Sequence, residues 1–248
     1  MISFKSRCEA IRKADRITRK VNSIYPHISE SRNRINIKHF QEKYYPLPIC
    51  YKLSNLNLKN SNKLDSLRYR NGEGIDSFRN IIDMLKNNKI GNCYEESILA
   101  QIIGKINGIE NIYPSKIFFN RNSSGHQVQL DHVVAIITDK PFNKGSYYNF
   151  KNKDAIVVDP WLNITDYVGD YICKLRTNFV NIFPNIPDMK HTLNHLSKIT
   201  KNIEEYNIVR KKIFKPDFYF KLHTDDLLSS EDTITLRKEY PELIIKNR

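Results

Sequence analysis

Three residues of this chain combine side-chain type and setting in a way that suits attack on a carbonyl: Cys93, His132 and Asp159. In Gly91-Asn92-Cys93-Tyr94-Glu95, Asn92 is a preferred helix N-cap and Glu95 stands three positions later, the spacing of a capping box. Cys93 is then expected as the first residue of a helix, where free backbone N–H groups and the helix dipole favour a thiolate over a thiol. A thiolate presented this way can attack a carbonyl, and its own backbone N–H offers one donor for the resulting oxyanion. Gly91, ahead of the cap, would let a substrate chain pass close to the backbone. The competing reading of Cys93 is a small buried hydrophobe that happens to start a helix.

A nucleophile needs a base. His132 opens the apolar run Val133-Val134-Ala135-Ile136-Ile137, and Asp159 closes Ala155-Ile156-Val157-Val158 before Pro160-Trp161. If those two strands are antiparallel neighbours, the start of one lies beside the end of the other. Asp159 can then hold the imidazole through one ring N–H. Asp159 also suits a plain turn before proline. Trp161, the single tryptophan, is expected either to shield the Asp–His pair or to pack in the core. His126 is the rival base, though Gly125 beside it points to a turn.

The elements that must position these residues follow from spacing. Cys8, Ile11, Ala14, Ile17 and Val21 recur at three and four over residues 5–22 and predict a helix, with Arg12, Arg16, Arg19 and Lys20 on its other face. Residues 23–73 are irregular and punctuated by Pro26, Pro46 and Pro48. Ile75, Phe78, Ile82 and Leu85 predict a helix ending near Lys86, and a second helix begins at Cys93 with Ile98, Leu99, Ile102, Ile103 and Ile106 buried. Strands are expected at 115–119, 128–138 and 155–158, a loop or long hairpin turn over 141–154, and a further helix over about 187–204. Helices first and strands later predict an α+β fold with an antiparallel sheet. The expected organisation is a basic N-terminal extension, residues 1–70, followed by a catalytic domain, residues 71–248, with a helical C-terminal part.

Charge supports that division. Residues 1–70 carry 16 Lys/Arg against 5 Asp/Glu, whereas the remainder carries 24 against 22, within a formal net charge of +13. The basic segment predicts an anionic partner, such as a phospholipid surface, an acidic protein or a nucleic acid, or else a solubilising face. Met1 to Ser23 lacks an apolar stretch of signal-peptide length, and Cys8, Cys50, Cys93 and Cys173 are scattered, so folding with free thiols in a reducing cytosol is expected. His191 and His195 have the i,i+4 spacing of a metal pair but no acidic partner between them, and no metal or other cofactor is expected. No nucleotide-binding glycine motif occurs. Tyr44-Tyr45 and Tyr147-Tyr148 near basic residues belong to no recognisable nucleic-acid module, so nucleic acid is not an expected partner.

Gly91-Asn92-Cys93, Asp131-His132-Val133-Val134 and Val157-Val158-Asp159-Pro160-Trp161 resemble the papain-like catalytic cores of bacterial effectors and toxins. The resemblance covers about residues 75–170. It implies a helix-borne Cys93 nucleophile, His132 as base and Asp159 as its orienting group, with glutamine deamidases and effector cysteine proteases the best-matched branches and transglutaminase-like enzymes sharing the core. It also implies a protein substrate of a host cell and delivery there by a specialised secretion system. Asn87, six residues before Cys93, falls where the papain pattern places a glutamine oxyanion donor, and Asn88 and Asn92 compete for that place. The 27 residues from His132 to Asp159 exceed the tight hairpin usual in the group and imply an enlarged loop between the strands.

Overall fold

The computed structural model describes residues 4–25, 74–88, 91–120, 127–141, 147–149, 151–174, 217–222 and 227–246. The fold is α+β: six strands form one sheet whose paired neighbours all run antiparallel, and helices pack against it. The strands are β1 (Ile112–Asn120), β2 (Gln127–Ile137), β3 (Tyr147–Asn149), β4 (Ile156–Asp159), β5 (Ile164–Tyr167) and β6 (Asp217–Leu222), in the spatial order β3-β6-β1-β2-β4-β5. Among the described residues the helices are α1 (Phe4–Ile24), α2 (Ile75–Lys86), α3 (Cys93–Ile106) and α4 (Ser230–Glu239). The chain is also helical over residues 168–174.

Helix α3 is the centre of the larger core. Ile98, Leu99, Ala100, Ile102 and Ile103 are each fully buried, and so are the polar Glu96 and Gln101, so the helix is enclosed on all sides. It packs on β1, β2 and β4, with α1, α2 and α4 also against it. Gly104 permits this closeness, because a Cβ there would meet the Ile112 side chain at 2.8 Å. Each fully buried isoleucine contributes about 1.5–3 kcal/mol relative to exposure. A second apolar cluster contains Val134 and Ile136 of β2, Val157 of β4, Phe218 and Phe220 of β6, and Val168, Tyr171 and Ile172 of the helical stretch.

The basic helix α1 belongs to the first core and does not stand apart as an appendage. Its narrow apolar stripe is satisfied there: Ala14, Ile17 and Val21 are fully buried in the cluster that holds α3. Polar contacts tie it to β5. The Thr18 and Thr165 hydroxyls are hydrogen-bonded at 2.6 Å, and the Tyr167 hydroxyl donates to the Arg7 carbonyl at 3.1 Å. Arg12, Arg16 and Arg19 remain exposed, with Lys20 half-buried, and Arg19 pairs with Asp15 one turn back at 2.6 Å. Of the stretch 23–73 expected to be irregular, residues 23 and 24 belong to α1 and residues 26–73 lie outside the described residues, as do the helix expected over 187–204, His191 and His195 within it, and His126.

The strands depart from expectation in two places. The stretch 141–154, expected as loop or turn, contains the three-residue strand β3, which pairs with β6 from Tyr147↔Lys221 to Asn149↔Tyr219. A short strand paired with a partner about seventy residues away leaves no period in its own sequence. The expected strand 115–119 begins earlier, at Ile112.

Candidate functional site

The first half of the site is made locally. Asn92 has extended backbone geometry and caps α3: its side chain accepts from the Tyr94 N–H at 2.9 Å, while the Asn92 N–H donates to Glu95 at 3.0 Å. Both arms of the capping box are present, so Cys93 is the first residue of α3, half-buried. The approach to the cap is braced from two sides. The Tyr25 hydroxyl at the end of α1 donates to the Gly91 carbonyl at 3.3 Å. A Cβ on Gly91 would lie 2.3 Å from the Leu85 side chain of α2. A side chain at position 91 would press on Leu85, so glycine lets the residue before the cap lie against α2.

The second half is made by the sheet. β2 and β4 are antiparallel neighbours paired from Ile137↔Ile156 to Ala135↔Val158, which brings the start of β2's apolar run beside the end of β4. Along β1 the partner jumps from Val133 opposite Lys116 to Gln129 opposite Phe118, so residues 130–132 bulge against Ile117 alone. Bulges bend a strand and re-aim its side chains, and His132 sits at this one. His132 and Asp159 are both fully buried and meet through Nε2 and Oδ2 at 2.8 Å.

Asp159 serves two structures with its two oxygens. Oδ1 accepts from the Leu162 N–H at 3.0 Å and closes the Pro160–Asn163 turn, in which Asn163 takes a positive φ of 56°. Oδ2 receives both His132 and the Tyr171 hydroxyl, the latter at 2.5 Å. The turn reading and the imidazole-holding reading are thus compatible. Trp161 lies over the imidazole with ring centroids 5.0 Å apart and is itself half-buried, so it covers His132 on one side.

The two halves come together around the imidazole, where Cys93 adds to the electrostatic field that acts on His132. Burial by itself lowers the imidazole pKa, but the charge and hydrogen bond of Asp159, with smaller help from Cys93, outweigh it and raise the value to about 10. An imidazolium at this point has an anion on one side and the thiol on the other. Such an arrangement can hold a thiolate, deliver a proton to a leaving group and take one from water.

The oxyanion candidates fare differently. Asn87 and Asn88 are exposed at the C-terminal end of α2, where the Asn87 amide donates to the Asp83 carboxylate at 3.0 Å and the Asn88 amide to the Asp83 carbonyl at 3.5 Å. Both complete the helix terminus and are turned to Asp83. Asn92 spends its side-chain oxygen on the cap. Tyr171 was not foreseen: nothing in Gly169-Asp170-Tyr171 marks a tyrosine aimed at Asp159, beyond the general need of a buried hydroxyl for a partner. Among the described residues no group of three His, Cys, Asp or Glu side chains is placed to hold a metal ion, and no helix is long and apolar enough to cross a membrane. Comparison with family models, with curated proteins and with solved structures returns no match for this chain.

Proposed function

We propose that this protein is a papain-like cysteine hydrolase acting on an amide of a protein substrate, with glutamine deamidation ahead of peptide cleavage. The observation that carries the reading is a buried His132 held by Asp159 through Nε2, with Cys93 at the start of α3 contributing to the field at the imidazole. The Cys93 thiolate adds to the carboxamide carbon, and the oxyanion turns toward the Cys93 backbone N–H. As the C–N bond breaks, His132 gives its proton to the departing amine. Water then gives a proton to His132 and attacks the thioester, and the C–S bond breaks to return the thiolate. If an amine takes the place of water, the product is a transamidated protein. The preference for glutamine, a host-cell substrate and delivery into a host rest on the resemblance of the three motifs to effector and toxin cores.

The exposed Arg12, Arg16 and Arg19 support a second, non-catalytic reading in which α1 holds an acidic protein or an anionic membrane surface. Because the apolar stripe of α1 is spent inside the core, such binding would be electrostatic and lost at high salt.

The test is site-resolved iodoacetamide labelling against pH, in wild type and in His132→Ala. Labelling of Cys93 well below pH 8, much faster than that of Cys8, Cys50 and Cys173 and suppressed in the variant, is expected. Equal labelling of all four thiols would reject the hydrolase and leave the basic face of α1 as the functional surface.

A further inference from the structure

We propose that Tyr171 is the positioning residue of this site, its hydroxyl holding the Asp159 carboxylate toward His132. The inference rests on the hydrolase reading and adds a member to it. Asp159 sits on the last residue of β4, where the ladder with β2 has already ended at Val158. A carboxylate there, held only by the Leu162 N–H through Oδ1, could still turn Oδ2 about that anchor. The Tyr171 hydroxyl removes this freedom by donating to Oδ2, the oxygen that also faces Nε2. Three donors then approach the two oxygens from the turn, the sheet and the helical stretch.

Tyr171 is itself held firmly. It is fully buried, its ring lies 5.9 Å from that of Phe220, and the first residue of its helical stretch, Val168, donates its N–H to the Ala155 carbonyl at 2.9 Å, just before β4. Burial and the neighbouring Asp159 charge push the phenol well above its ordinary pKa, so it remains a donor wherever the protein is folded. A charge-assisted hydrogen bond to a carboxylate is strong enough to fix its orientation. Without it, Oδ2 can turn away from Nε2, and the imidazole loses the counter-charge held against it. The acid limb of Cys93 reactivity must then move upward.

The experiment is the iodoacetamide pH profile of Cys93 in the full chain, wild type against Tyr171→Phe, with folding checked by circular dichroism. The phenylalanine keeps the ring packing and deletes only the donor. The acid limb is expected to rise by about one pH unit, the scale of one charge-assisted hydrogen bond. A purely structural tyrosine would lower the melting temperature and leave the limb of the folded protein in place, which would overturn the proposal. If Tyr171→Phe does not fold, the chain carrying 3-fluorotyrosine, whose phenol is a stronger donor of nearly the same size, supplies the test. Its limb is expected to move downward, and an unmoved limb overturns the proposal. Wild-type Cys93 no more reactive than the other thiols would instead reject the hydrolase reading itself, so the two failures are distinct.

Discussion

The two sides of the site are built by different means. On the Cys93 side every fixing bond of the cap spans two or three residues: Asn92 to Tyr94 and Asn92 to Glu95. On the His132 side the bonds to Asp159 span 27 residues from the histidine and 12 from Tyr171. The first set can form as soon as the first turn of α3 nucleates. The second exists only once β2, β4 and the helical stretch 168–174 are assembled. A local half presents the sulfur, and a topological half supplies the charge. Damage to each half should therefore look different.

The largest effect is expected from Asp159→Ala. It strands a buried imidazole and a buried phenol together and frees the Leu162 N–H. Breaking a buried ion pair by removing one partner costs about 3–5 kcal/mol, read as a loss in the free energy of urea unfolding. Asp159→Asn, which can still accept from Leu162 through its amide oxygen, is expected to lose less. Equal losses for the two variants would mean that the turn contact contributes nothing and that the carboxylate's charge is everything.

Next comes pH. The His132 pKa rises from its ordinary 6.5 to about 10 in the fold, so the folded state binds the proton more tightly than the unfolded chain. The resulting stabilisation is complete below about pH 6.5 and is lost as pH rises through about 10. Urea midpoints of wild type should fall relative to those of His132→Gln across that window. A constant difference between the two proteins from pH 6 to 10 would show that Asp159 does not hold an imidazolium, and the topological half would lose its charge.

The same division explains what the sequence discloses. Helices α1, α2 and α3 are legible because apolar residues recur at three and four along each, and the start of α3 is legible because its cap lies within four residues of sequence. The apolar runs of β2 and β4 are legible as strands, and their pairing follows from the simplest antiparallel arrangement. The bulge at residues 130–132 is not, since it arises from β1 and β2 keeping different counts between shared partners. Tyr171 is hidden for the same reason, because its partner is set by packing. The sequence does not disclose that the Asn87 amide donates to Asp83, because asparagine at a helix C-terminus and at an oxyanion site are the same letter. Nor does it disclose that the missing Cβ of Gly91 makes room for Leu85 of another helix.

The smallest effect, and the one that best separates the halves, is expected from Asn92→Ala. It deletes the side-chain arm of the capping box and leaves the Glu95 arm without its counterpart, a loss of about 0.5–2 kcal/mol. Asn92→Ser or Asn92→Asp should recover most of it. Because α3 is buried along most of its length, the damage should stay in the first turn, seen as faster hydrogen exchange at Tyr94 and Glu95 with protection retained from Ile98 onward. Cys93 should label more slowly, since the sulfur is no longer held at a well-formed helix start. The dependence of stability on pH between 6.5 and 10 should survive, because it comes from His132 and Asp159, which the cap does not touch. If that dependence disappears with the cap, the imidazolium owes its charge to the position of Cys93 as much as to Asp159, and the two halves form one cooperative unit.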